Sequence, residues 1–434
     1  MECRFQIFQD NTWKDCALLT LLNPAAGDPR TSCIFEYDLD YAFEPGAEPV
    51  SLHFPVTAEM QKLDQWPAFI FDLIPQGSGR TYLLGQLALN DGPTADFPLM
   101  CAGAFGPIGR VRVVEAVQYY ANHIARHDGG KPLHGFSLEE IIGRGDAFNE
   151  RMLIHSMLAA GSLGVQGAAP KYLLTTDHEG KWHADGALPD QQAFEHFIVK
   201  RPRGKAPNDF KVLKNEASYM KVARAMGLRT SGELRYQDDT LFIPRFDRLV
   251  KDNQVLRLHQ ESVASIAGIV GFETTPSQFN LLKAICSVVD DKLTETIEFL
   301  KRDVLNLAMR NTDNHARNTA VQKNDGYVRL TPLFDFAPMY LDPAGIPRAA
   351  RWYHPDTNKE LQHWRDILAT LELPDEERNQ IRLELYRFGH QLTALEHHMQ
   401  EAGIDDDIVA FLRPHIAVQI QQLQSLDEEH HGAN

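Results

Sequence analysis

The most regular pattern in the chain lies between residues 293 and 307. There Leu293, Ile297, Leu300, Val304 and Leu307 recur at alternating steps of four and three. That spacing puts them on one face and predicts an amphipathic helix whose stripe packs into a core. Just upstream, Thr275-Pro276-Ser277 marks a second helix start, with proline in the first turn ahead of Phe279, Leu282 and Ile285. Leu213, Ala217, Met220 and Ala223 give a further helical face, which Gly227 closes as a C-cap. Ser137-Leu138-Glu139-Glu140 reads as a capping box, and another helix is expected from Glu150 to Ala160. Helices around 359–371, 375–402 and 405–427 finish the chain.

Strand patterns sit between and before these helices. Cys33 to Asp38, Gly109 to Val114, Tyr172 to Thr176, Glu195 to Pro202 and the run from Leu241 are β-branched or aromatic in part and bounded by turn residues. Residues 66–80 with the apolar run 83–89 fit a helix, a Pro/Gly turn and another helix, with no catalytic grouping among them. The polar stretch from His127 to Pro132 is the best domain boundary on composition.

Bulk properties narrow the class. With 434 residues, 43% hydrophobic and 24% charged, the chain is long enough for two or three packed units. The formal charge of −16 argues against a basic, DNA-coating surface. Cys3, Cys16, Cys33, Cys101 and Cys286 are scattered and lack zinc-site spacing, so reduced thiols in a cytoplasmic protein are expected. No secretory leader or membrane-spanning run is visible.

The chemistry concentrates at Asn311-Thr312-Asp313-Asn314-His315-Ala316-Arg317-Asn318, followed by Asp335 in Leu333-Phe334-Asp335-Phe336. An acid, an amide five residues on and a second acid after a short strand are what phosphoryl transfer from ATP needs. Asp313 would orient and deprotonate a hydroxyl, while Asn318 and Asp335 would hold Mg²⁺ on the nucleotide phosphates. His315 then reads as a structural hydrogen-bonding residue. Lys200 ends an apolar strand, either as a solvated terminus or as a lysine that reaches phosphates. Glu216, early in the next helix, either pairs with Lys200 or simply complements the helix dipole. Gly161 to Lys171, with Gly164 and Gly167, is a plain turn or a loop that covers the nucleotide. In Arg245-Phe246-Asp247-Arg248 the adenine would meet the linker, and Asp247 would either meet the ribose or form a surface pair with arginine. The Arg348 to His354 run is either a packed loop, the reading favoured here, or a contact for substrate or phosphate.

Together these residues resemble the HipA family, the serine/threonine kinase toxins of bacterial toxin–antitoxin modules. The resemblance rests on Phe71-Asp72-Leu73-Ile74-Pro75-Gln76-Gly77, Lys214-Asn215-Glu216, Arg245-Phe246-Asp247-Arg248, Leu258-His259-Gln260-Glu261, the 311–318 loop and Pro332-Leu333-Phe334-Asp335. It implies an α+β, two-lobed protein-kinase-like fold with a mainly helical C-terminal lobe, preceded by a small α/β subdomain. The expected divisions are 1–130, 131–247 and 248–434. The resemblance also implies Mg·ATP as cofactor and a protein serine as acceptor, in studied relatives on an aminoacyl-tRNA synthetase. A helix-turn-helix antitoxin akin to HipB is the implied partner, with DNA reached only through it. The Gly-rich loop departs from the family pattern, and Ser162 is the residue there that autophosphorylation would take. A small-molecule phosphotransferase and a non-catalytic scaffold for the antitoxin are the rival readings.

Overall fold

A computed structural model describes residues 1–23, 28–127, 135–143, 148, 171–272 and 276–426. The chain forms two compact units: Met1–Arg203 with Arg235–Thr274 and Gln322–Asn324, and Gly204–Leu234 with Thr275–Val321 and Asp325–Asn434. These divisions do not coincide with the boundaries expected at 130 and 247. The helix expected from Glu150 to Ala160 lies outside the described residues.

The first unit holds two five-stranded antiparallel sheets. One is built from Gln61–Leu63, Cys33–Tyr37, Thr12–Leu21, Glu2–Gln9 and Val111–Val113, in that spatial order. Alternation is plain in two of its strands: Cys3, Phe5 and Ile7, and Cys33, Phe35 and Tyr37, are buried, while Arg4, Gln6, Ile34 and Glu36 between them are partly or fully exposed. Phe69, in the short 3₁₀ turn Ala68–Asp72, packs its ring on Phe5 and Phe35 at 5.5 and 5.8 Å. All five cysteines are free thiols.

The second sheet runs Trp182–Ala184, Lys171–Asp177, Ala193–Lys200, Thr240–Pro244 and Arg235–Gln237. Its core is Leu174, Trp182, Val199 and Phe242. Tight hairpins recur in this unit. Asp10-Asn11, Asp238-Asp239 and Asp252-Asn253 all take positive φ, the two-residue turn that matches strand twist and that Asp and Asn tolerate best.

Residues 1–113 share their interior with the 245–262 segment. The buried Asp72 carboxylate accepts from the Ser262 backbone N–H at 2.9 Å and its hydroxyl at 2.7 Å. Glu261 does the same for the Ser51 hydroxyl at 2.7 Å and the Leu52 N–H at 2.9 Å. Asp72 and Glu261 thus explain why two separate acidic motifs belong to one fold: each satisfies buried donors of the other segment.

The second unit is mainly helical. Pro207–Ala225 begins six residues before the predicted Leu213 face, with proline in its first turn and the Asp209 carboxylate accepting from the Ala206 N–H at 3.0 Å. Leu213, Ala217, Met220 and Ala223 are its buried face, and Gly227, at φ +79°, closes it. Lys214 and Asn215 bind Asp405 at 2.6 and 3.2 Å, fixing this helix to the start of Asp406–Gln424. The expected 375–402 helix is two helices, Asp375–Gln391 and Leu395–Glu401, joined by a 3₁₀ turn. Residues 359–363 are not helical; the helix there is Trp364–Thr370.

Lys292–Ala308 forms as its periodicity predicts, capped by the Asp291 carboxylate on the Thr294 N–H at 3.0 Å. Its buried side is wider than the apolar stripe, however. Leu300 and Val304 are fully buried, Leu293, Ile297 and Leu307 only partly, and Glu295, Arg302 and Asp303 are buried beside them. Each of these charges has a partner. Glu295 pairs with Arg229 at 2.8 Å, Arg302 donates to the Thr331 carbonyl at 2.7 Å, and Asp303 takes Arg348 at 2.7 Å. No helix among the described residues is long and apolar enough to cross a membrane.

Candidate active site

The 292–308 helix ends at Met309, and Arg310 turns the chain through a left-handed φ of +54° into the 311–318 segment. The turn is fixed from the neighbouring helix, because the buried Tyr219 hydroxyl donates to the Met309 carbonyl at 3.1 Å. The Tyr219 ring also lies 5.3 Å from that of Phe336. One buried side chain therefore supports both the entry to the loop and the residue after Asp335.

Within the loop, the Asn318 side-chain N–H donates to the Asp313 carbonyl at 2.8 Å. That bond commits the Nδ2 atom and leaves Oδ1, the atom a hard cation would take. His315 caps the 3₁₀ turn Ala316–Asn318, its Nδ1 accepting from the Arg317 N–H at 3.2 Å, and its Nε2 stands 3.6 Å from the Asp313 carboxylate. Asn314 points the other way and binds the backbone of Ala349 and Ala350. Asp335 sits at φ +51°, a strained region for a residue with a side chain. The Leu333 N–H holds that segment to the Arg229 carbonyl at 2.8 Å.

Asn311, Asp313, Asn318, Thr319, Phe334 and Asp335 line one recess of the second unit. Asp313 keeps 26% of its side chain exposed there. Among the described residues no group of three or more His, Cys, Asp or Glu side chains could hold a metal. One amide oxygen and one carboxylate, from Asn318 and Asp335, are instead what Mg²⁺ uses when water and phosphate supply the remaining oxygens. The donor set fits that ion. Glu216 lies buried on the Pro207–Ala225 helix of this same unit.

The other candidate residues belong to the first unit. Lys200 is the last residue of the central strand of its sheet, 5% exposed, with Lys171 and Leu241 as its cross-strand neighbours. Arg245 follows the Thr240–Pro244 strand, its N–H donating to the His196 carbonyl at 2.8 Å. The Phe246 carbonyl accepts from the Gln322 side chain at 3.0 Å.

The structure corrects the reading of Asp247, which presents neither a carboxylate to a ribose nor a surface pair. It is 2% exposed. Its carboxylate takes Arg245 at 2.9 and 2.7 Å, Arg248 at 2.5 Å and the Gly109 N–H at 2.8 Å. The Arg245 guanidinium is likewise committed, to Asp247 and to Asp185 at 2.7 Å. Burial alone would raise the Asp247 and Asp185 carboxyls, but facing arginines outweigh it and hold both below the usual carboxylate range. Asp185, with His196 and Thr175 also on its Oδ1 at 3.2 and 2.8 Å, carries no motif signal. Gly164, Gly167 and Ser162 lie outside the described residues.

The sequence matches the family of the HipA-like C-terminal domain over residues 163–391, more than half of the chain. It matches the HipA N-terminal domain over residues 23–114. No curated protein matches the sequence. Among solved structures, the fold is similar to that of HipA of Shewanella oneidensis MR-1 in a toxin–antitoxin complex with HipB and operator DNA. The TM-score is 0.63 at 18% identity, covering 98% of this chain and 97% of that one. The Helicobacter pylori proinflammatory kinase CtkA matches over 55% of this chain and 92% of its own, at 14% identity and a TM-score of 0.39.

Proposed function

The chain belongs to the HipA family, and from that footing we propose that it is an Mg·ATP-dependent serine/threonine protein kinase that arrests growth as the toxin of a toxin–antitoxin pair. The observation that carries the reading is the single recess shared by Asp313, Asn318 and Asp335, with the loop closed by its own Asn318 amide. Asp313 would accept the proton of the acceptor hydroxyl as that oxygen bonds to the terminal phosphorus of ATP and the bond from phosphorus to the leaving ADP oxygen breaks. Asn318 Oδ1 and the Asp335 carboxylate would hold Mg²⁺, whose charge would offset that of the phosphates. The resemblance gives Lys200 the phosphates, Glu216 the place of the helix glutamate, and the Arg245–Phe246 backbone the adenine. The side chains of Arg245 and Asp247 brace that linker from inside.

The solved relative binds HipB and operator DNA. For this chain the corresponding partner is a HipB-like helix-turn-helix antitoxin, with DNA reached through it and the acceptor a cytoplasmic protein such as an aminoacyl-tRNA synthetase. The test is incubation of the purified chain with labelled ATP, Mg²⁺ and a cell lysate, beside Asp313→Gln. A labelled protein band that disappears in the variant supports the reading. Label confined to small products would make the chain a small-molecule phosphotransferase. Undiminished growth arrest by Asp313→Gln would make it a scaffold.

A further inference from the structure

A continuous set of hydrogen bonds within the second unit runs from the Lys292–Ala308 helix to Asn314, the neighbour of Asp313. Asp303, on the Lys292–Ala308 helix, is 2% exposed. Its two oxygens accept from Arg348 Nη2 at 2.7 and 2.7 Å, from Trp352 Nε1 at 2.8 Å and from Gln278 Nε2 at 3.2 Å. Arg348 then uses its Nε on the Ala350 carbonyl at 3.0 Å. The N–H groups of Ala349 and Ala350 donate to Asn314 Oδ1 at 3.0 and 3.1 Å, and Asn314 Nδ2 donates back to the Ala350 carbonyl at 2.8 Å. Asn314 is the residue next to Asp313.

The arrangement does more than fill space. Residues 346–350 have neither helix nor strand hydrogen bonds of their own. Their backbone is ordered by side chains, with Arg348 on one side and Asn314 on the other. A carboxylate buried this deeply is costly unless its oxygens are taken up, and here every partner belongs to or abuts the strap that grips Asn314. The Trp352 indole, wedged edge-on against Phe279 at 4.7 Å, keeps the strap from sliding along the helix.

We infer that Asp303 is a positioning residue for the base Asp313, acting through Arg348 and Asn314. This rests on the kinase reading only in taking Asp313 as the base. The placement of the loop is a separate matter and is measured separately.

Three full-length variants test it: Asn314→Ala, which cuts the last link; Arg348→Lys, which keeps a cation for Asp303 but loses the fork; and Asp303→Asn. Backbone amide exchange is followed over 311–318, with Pro207–Ala225 as an internal reference, and phosphoryl transfer is measured in parallel. In Asn314→Ala, exchange over 311–318 quickens while the reference helix holds. In the same variant kcat falls about 10- to 100-fold with KM for ATP within about two-fold, as expected when a base is displaced but its substrate still binds. Arg348→Lys moves both readouts in the same direction, by less.

Unchanged protection of 311–318 in Asn314→Ala and Arg348→Lys overturns the inference. So does a kcat that falls only with the folded fraction. If Asp303→Asn fails to fold, the other two variants decide. Should the wild-type chain transfer no phosphate, the kinase reading falls and the exchange measurement alone judges the positioning of the loop.

Discussion

The Asn318 side-chain amide donates to the Asp313 carbonyl at 2.8 Å, so the residue closes the loop with its nitrogen, and in the proposed kinase its oxygen would be the atom that meets Mg²⁺. The two duties separate by substitution. Asn318→Asp keeps an oxygen for Mg²⁺ but sets an acceptor against the carbonyl. It should lower kcat on the order of five- to thirty-fold, one or two kcal/mol for the lost bond, with little change in the Mg²⁺ requirement. Asn318→Ala should raise that requirement as well. Mg²⁺ titration of initial rates for both variants gives the comparison, and equal Mg²⁺ dependence in the two would refute the division of duties.

Arg245 bridges two carboxylates, the buried Asp247 and the partly exposed Asp185. Arg245→Met leaves Asp247 to Arg248 alone and Asp185 to His196, and should cost on the order of 3 kcal/mol. Urea unfolding followed by far-UV dichroism measures it. Adding Asp185→Asn should return part of the loss, since one stranded charge is then removed.

Stability should fall with acid in two steps of different origin. Burial, only partly offset by Glu261, depresses the His259 imidazolium, so the folded protein favours the neutral ring. Its contribution is present above the ordinary histidine value of about 6.5 and fades as pH drops through the lower folded value. Asp185 and Asp247, held low by arginine, contribute fully above about 4 and lose that contribution only in stronger acid. Urea midpoints measured from pH 8 down to pH 3 should show both legs. His259→Gln should flatten the upper one and leave the lower intact.

Gly109 has φ +87°, and a Cβ there would stand 3.2 Å from the Gln260 carbonyl oxygen. Gly109→Ala therefore adds crowding to backbone strain and should cost about 1–3 kcal/mol. Gly180, at φ +78° with open space around it, supplies the strain alone. A thermal midpoint lowered less by Gly180→Ala than by Gly109→Ala would assign the difference to the contact with Gln260.

Local patterns carried the reading of the loop, because Asp313, Asn318 and Asp335 lie close in sequence and their spacing encodes their chemistry. The helix at Lys292–Ala308 was legible for the same reason, yet its charged inner side was not. Glu295, Arg302 and Asp303 carry no apolar signal, and the partners that bury them, Arg229, the Thr331 carbonyl and Arg348, lie 29 or more residues away along the chain. Asp247 was misplaced by a related cause: its local Arg245 and Arg248 suggested a surface pair, and only distant Gly109 and Asp185 reveal that the cluster is sealed. The break at Leu392–Ala394 carries no Gly or Pro, so the helical pattern runs through it unmarked.

The sharing of one interior by residues 1–113 and the 245–262 segment also sets an order on biosynthesis. A ribosome adding about 5–20 residues per second delivers Glu261 roughly 7–30 s after Val113. Throughout that interval Ser51 and Leu52 lack the Glu261 carboxylate that accepts their hydrogen bonds, and Gly109 lacks its acceptor until Asp247 emerges. The nascent amino-terminal sheet therefore lacks acceptors for these buried donors until the 245–262 segment emerges, and a chain truncated before residue 262 should show a smaller soluble fraction on expression than the full chain.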